Sequence, residues 1–128
     1  MKKTAFITGI TSQDGAYLAH LLLNKDYTVV GGFRGLSNPV FSRLDELGIT
    51  NKIRLVEIDL LDSGNLTTII KEVKPTEVYN LAAQSFVSHS FRNPVLTGNV
   101  TGIGVTNLLE AVRMTDKGIR FYQASTSE

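Results

Sequence analysis

Thr4–Gly15 reads TAFITGITSQDG, and the way this stretch is read decides the fold of everything after it. A short apolar run, Ala5-Phe6-Ile7, leads into Gly9, and Gly15 lies six positions on. From Ala16 to Leu23 the sequence has helical character. The order is strand, tight glycine turn, helix. Such a turn leaves unpaired backbone N–H groups, and the positive end of a helix dipole, where a pyrophosphate can sit. In a dinucleotide-binding fold Gly9 makes the tight turn and Gly15 lets helix and strand approach closely. The position between them is normally a third glycine, and here it is Ser12. Two glycines are a weak signal, and an ordinary βα turn accounts for them equally well.

The next segment tips the balance. Lys25-Asp26-Tyr27 reads as a turn, and Thr28–Phe33 as a second, buried strand. Where a dinucleotide's adenosine ribose arrives, an NAD-binding domain usually carries Asp or Glu. This chain has Arg34 there, and no acid follows until Asp45. A carboxylate would repel a 2′-phosphate, whereas a guanidinium attracts it and can bind it bidentately. Taken alone, Arg34 is better explained as a solvated surface arginine. Combined with the turn and the spacing it points to NADP.

The remaining elements repeat the alternation. Phe41–Leu47 reads as a short helix stopped by Gly48, and Ile53–Ile58 as an alternating third strand. Asp62-Ser63 supplies N-cap chemistry for a helix from Gly64 to Val73, with Leu66, Ile69, Ile70 and Val73 on one face. Lys74-Pro75 ends it. Glu77–Leu81 is a fourth strand opening into Ala82-Ala83-Gln84-Ser85, small residues that let a ligand come close. A helix beginning at Asn93-Pro94 and reaching about Arg113 contains Gly98, Gly102 and Gly104, each costing about 1 kcal/mol relative to alanine. Close packing on the sheet, or a self-association surface, would explain them. Ile119–Ala124 is the fifth strand. Crossovers of this length demand parallel strands, so the expected fold is α/β: a doubly wound, Rossmann-like parallel sheet of order 3-2-1-4-5. Residues 1–128 form one domain, lacking the last strands such a sheet usually has.

Composition removes several alternatives. The hydrophobic fraction of 42% and charged fraction of 20% are those of a globular domain. A net charge of +1 gives no electrostatic case for nucleic acid or an anionic membrane. Without cysteine there are no disulfides and no thiolate metal sites, and His20 and His89 form no ligand motif, so no metal is expected. Met1-Lys2-Lys3 imitates a signal peptide, but Thr8 and Gly9 break the apolar run too soon. Cytoplasmic is the default location.

Three motifs carry a resemblance. TGITSQDGAYLAHLLL, VYNLAAQSFV and RFYQASTSE resemble the extended short-chain dehydrogenase/reductase family, and within it the dehydratases that act on GDP-mannose. The terminal Thr-Ser-Glu favours that branch over epimerases and reductases, which generally lack the glutamate. The resemblance implies cofactor contacts by Gly9, Ile10, Thr11, Ser12, Gln13 and Asp14, by Arg34 and Ser37, and by Asp59 and Leu60 beside the adenine. It continues on Leu81, Ala82, Ala83, Gln84 and Ser85, towards the nicotinamide. It makes Thr126 the catalytic threonine and Glu128 the catalytic base. The reaction it implies is NADP-dependent dehydration of GDP-mannose to a 4-keto-6-deoxy sugar: hydride leaves C4, a carboxylate takes the C5 proton, water departs from C6, and hydride returns to C6. The chain departs from the family at Ser12 and at Gly35, where many members have a second arginine. Family members also use a tyrosine with lysine four residues on. Here Tyr17, Tyr27, Tyr79 and Tyr122 are followed at that distance by Leu21, Gly31, Ala83 and Thr126. The expectation is therefore an amino-terminal part of a longer, homo-oligomeric enzyme, inactive alone. An epimerase or reductase acting on another nucleotide sugar, and a non-catalytic dinucleotide-binding module, remain open.

Overall fold

The computed structural model describes residues 3–34, 42–81, 106–116 and 118–123. Five parallel strands, β1 (Thr4–Thr8), β2 (Thr28–Arg34), β3 (Arg54–Ile58), β4 (Glu77–Asn80) and β5 (Arg120–Gln123), form one sheet in the order β3-β2-β1-β4-β5. The expected topology is met. Helices α1 (Gln13–Asn24), α2 (Ser42–Glu46) and α3 (Ser63–Val73) lie between strands, and a further helix, α4, occupies 106–115.

Period-two alternation in β1 builds both cores at once. Ala5 and Ile7 face one side and join Ala16, Ala19 and Leu22 of α1, Leu44 of α2, and Ile49 and Ile53. Phe6 faces the other and meets Leu66 and Ile70 of α3 with Leu108, Ala111 and Val112 of α4. All three β1 residues are fully buried, as a central parallel strand covered on both faces must be. The chain steps outward from β1 to β2 to β3, then crosses back to β4 and β5. Right-handed crossovers therefore put α1 and α2 on one face, α3 and α4 on the other. Where the direction reverses, between β1 and β4, the sheet has its switch point.

Several boundaries have local causes. Asp62 caps α3 by accepting from the Asn65 N–H (3.0 Å), and Lys74 closes it in a left-handed conformation, φ 50°. The third strand does not alternate as expected. Arg54 and Glu57 are exposed while Leu55 and Val56 are both half-buried, because β3 is an edge strand incompletely covered on either side. Ile53 is buried but precedes the strand, following a 3₁₀ turn at Thr50–Lys52. Residues 93–105 of the last expected helix, with its three glycines, lie outside the described residues, as do Phe41 and His89. Among the described residues, no helix is long and apolar enough to cross a membrane, and no group of His, Asp and Glu could hold a metal ion.

Candidate functional site

The loop from Gly9 to Gly15 leaves β1 at the switch point and enters α1. Gly9 has φ 71°, a left-handed conformation that glycine adopts without the penalty a Cβ imposes. A Cβ on Gly15 would overlap the Gly9 carbonyl oxygen and come within 3.0 Å of Ile10 Cα. Both glycine roles read from the sequence are thus visible in the backbone.

Ser12 has its own role. It is the N-cap of α1: its Oγ accepts from the Gly15 N–H (3.0 Å) and donates to the Gly9 carbonyl (2.7 Å). Its backbone N–H also donates to Gly9 O (3.0 Å), and its carbonyl accepts the first helical bond, from Ala16. The hydroxyl has a single proton, and Gly9 already holds it. Ser12 therefore stiffens the turn in the arrangement seen. The first N–H groups of a helix have no partner within it. With Gly15 satisfied by Ser12, the N–H groups of Gln13 and Asp14 are left without a partner among the described residues. They mark the positive end of the α1 dipole, which suits an anion.

Three further contacts fix this turn. Ile10 is fully buried, and its N–H donates to Gly32 O (3.3 Å). Arg43 Nη1, from α2, donates to the Thr11 carbonyl (3.2 Å). Beneath the turn, Thr8 Oγ1 donates to Asn80 Oδ1 (2.5 Å) and accepts from the Leu81 N–H (3.2 Å). This buried bond ties the carboxyl ends of β1 and β4 together on either side of the crevice.

The other expected residues follow along the same edge. Arg34 is the last residue of β2, paired in register with Ile58 of β3. Asp59 and Leu60 come directly after β3. Asp59 Oδ1 accepts from the Leu61 N–H (2.9 Å), the Asp59 N–H donates to Asn65 Oδ1 (3.0 Å), and the Leu60 carbonyl accepts from Asn107 of α4 (2.9 Å). Leu81 follows β4 directly. The topology thus brings the Gly9–Asp14 loop, Arg34, Asp59-Leu60 and Leu81 to one end of the sheet, where open α/β folds bind elongated ligands. Ser37, Ala82, Ala83, Gln84, Ser85, Thr126 and Glu128 lie outside the described residues. Sequence reasoning passed over Thr8, Asn80, Arg43 and the pair Gly31-Gly32. Only the glycines carried a usable signal, since glycine inside a strand marks a close approach.

Against known proteins, the sequence profile of the GDP-mannose 4,6 dehydratase family matches residues 6–128. The GDP-mannose 4,6-dehydratase of Vibrio cholerae is 49% identical over all of this chain, and the Homo sapiens GDP-mannose 4,6 dehydratase is 46% identical over 99% of it. The chain spans 36% of the length of each. Among solved structures, the UDP-glucose 4-epimerase of Thermus thermophilus in complex with NAD superimposes with a TM-score of 0.74 at 27% identity, over 91% of this chain and 35% of that one.

Proposed function

The chain belongs to the GDP-mannose 4,6 dehydratase family, and from that premise we propose that it is the NADP-binding part, residues 1–128, of an enzyme that dehydrates GDP-mannose to GDP-4-keto-6-deoxy-mannose. One observation carries the cofactor half of this reading. At the switch point, a glycine turn and a capped helix present the Gln13 and Asp14 N–H groups without partners among the described residues, with Gly15 letting the helix pack closely on the turn. That cradle fits a pyrophosphate.

NADP supplies reversible hydride acceptance when bound. The chain's own groups do the rest. The α1 amino terminus holds the diphosphate, and Arg34, at the end of β2, neutralises the 2′-phosphate. Asp59 and Leu60 border the adenine, and Leu81 with Ala82, Ala83, Gln84 and Ser85 lines the path towards the nicotinamide, while Ser37 adds a hydroxyl after Arg34. Thr126 hydrogen-bonds the sugar's O4, and Glu128 takes the C5 proton. The tyrosine–lysine pair and the sugar-gripping residues belong to the remaining length that such relatives possess. A cytoplasmic location and homo-oligomeric assembly go with this proposal, and cell fractionation and light scattering on the full-length protein test them.

The preference for NADP is tested by titrating both cofactors into the full-length protein. A charge-assisted contact from Arg34 is worth on the order of 1.5–3 kcal/mol, about tenfold or more in affinity. NADP should bind the tighter by that factor, and Arg34→Ala should abolish the difference. Equal affinities in the wild type, or a preference for NAD, the cofactor of the NAD-bound epimerase, overturn the NADP assignment. Product analysis separates the dehydratase from an epimerase, since only the dehydratase loses water.

A further inference from the structure

We infer that Gly31, in the middle of β2, is a positioning residue for the dinucleotide turn: it is the seat on which Ile10 rests, and it sets the height of the turn above the sheet. The inference rests on the dinucleotide reading above and assigns a role to a residue that makes no contact with the ligand. A Cβ built on Gly31 would meet Ile10 at Cγ1 (2.5 Å), Cβ (2.9 Å) and Cδ1 (3.1 Å). The clash reaches Cβ itself, next to the backbone, so rotating the far end of the side chain cannot relieve all of it. Ile10 is fully buried among the residues under α1, so moving it disturbs the packing around it. Two shifts remain, of β2 or of the turn. β2 is held by register on both sides, to β1 and to β3. The turn is held by individual hydrogen bonds where β2 is held by two ladders, so the turn gives first. Moving it displaces the Gln13 and Asp14 N–H groups that await the diphosphate.

The neighbouring glycine provides a control on the opposite face of the strand. A Cβ on Gly32 points to the opposite face and meets Ile58 at Cδ1 (2.8 Å), with Cγ1 and Cγ2 at 3.3 Å. The overlap is milder, under 3.0 Å only at the terminal methyl of Ile58, and it falls on the core beneath α3 and α4 instead of on Ile10. General damage to β2 would therefore appear in both variants, whereas loss of turn position appears only at Gly31.

The experiment uses full-length wild type, Gly31→Ala and Gly32→Ala, with Tm and NADP Kd measured for each. Both substitutions should lower Tm, as overpacking does. Only Gly31→Ala should weaken NADP binding, about tenfold or more. In an Ile10→Ala background, which removes Cγ1 and Cδ1, the effect of Gly31→Ala on Kd should shrink, the signature of two residues acting through one contact. Unchanged Kd in Gly31→Ala, or equal losses from both glycine variants, overturns the inference while leaving the cofactor reading intact. If wild type binds neither NADP nor NAD, the cofactor reading fails and takes this inference with it. Should Gly31→Ala not fold, Ile10→Val compared with Ile58→Val gives the same answer: only the former loosens the seat and weakens binding, and equal Kd values overturn the inference.

Discussion

Ser12 shows how a departure from a family pattern is absorbed at the scale of one residue. Where the pattern has hydrogen, this chain has a hydroxymethyl group that bridges Gly9 O and Gly15 N, satisfying a helix-terminal donor that would otherwise need water. Replacing an N-cap serine by alanine costs about 1 kcal/mol, and by glycine only a few tenths. Ser12→Ala should therefore lower stability clearly and Ser12→Gly barely, as read by urea denaturation. NADP affinity should be unchanged or slightly tighter in Ser12→Gly. A large loss would show that the hydroxyl turns from Gly9 to the phosphate when ligand binds. Thr8 is the opposite case, a residue whose polar group is wholly internal. It is fully buried and donates to Asn80, itself fully buried. Thr8→Val leaves part of that buried polar capacity unmet, at a cost of about 1–3 kcal/mol. A denaturation midpoint within error of wild type would refute this.

Among the elements, β4 and β5 carry a cluster that answers to pH. Glu77 is buried at the start of β4 and accepts from the hydroxyls of Tyr27 (3.1 Å) and Tyr79 (2.7 Å), while Tyr79 stacks on Tyr122 of β5 with ring centroids 4.8 Å apart. Burial first, then the hydrogen bond to Glu77 and the Glu77 charge, push the Tyr79 phenol well above its ordinary 10.0, with Tyr27 and Tyr122 adding to it. Tyr27 shifts the same way, and Arg120 opposes part of that shift. A phenol with a raised folded-state value binds its proton more tightly when folded than when unfolded. The stability this represents is complete below pH 10 and is lost as pH rises beyond it. Chemical denaturation across that range should show the decline, and Tyr79→Phe should flatten it. An identical slope in the variant would place the alkaline sensitivity elsewhere. None of this cluster was legible in the sequence, because Glu77 and Tyr79 read only as ordinary members of the fourth strand. The strands themselves were legible, since β1 and β2 are continuous apolar runs and Gly9, Gly48 and Lys74-Pro75 punctuate the chain. The edge strand β3 was misjudged in its burial because a sequence shows period but not which neighbour is missing. Of the site, the glycine turn and Arg34 could be read from spacing, while Asp59 and Leu60 came from the family resemblance. The Ile10–Gly31 contact and the Thr8–Asn80 bond could not, as both join segments far apart in sequence.

For the whole molecule, the sheet does one thing for the chemistry: its strands run parallel, so the carboxyl ends of β1, β4 and β5 lie along one edge. Glu128 and Thr126 follow β5 in sequence, and that is why the family resemblance can give them roles beside the nicotinamide of the proposed cofactor. Removing a proton next to a ketone at neutral pH needs a positioned base, and general-base catalysis typically contributes about 10²–10⁴-fold. Glutamate is the basic group of the Thr126-Ser127-Glu128 motif, since neither hydroxyl is basic. In the full-length protein Glu128→Gln should keep NADP affinity and Tm, because the amide retains shape. Oxidation at C4 should survive, while exchange of the C5 hydrogen with solvent falls by about the factor a general base supplies. Thr126→Val should slow the oxidation itself by removing the hydrogen bond to O4, and leave the base in place. The two variants are separated by following deuterium incorporation at C5 in heavy water, at saturating cofactor, against the rate of C4 oxidation. Exchange at the wild-type rate in Glu128→Gln would move the base to another residue and remove the main support, at the level of single residues, for dehydration over epimerisation.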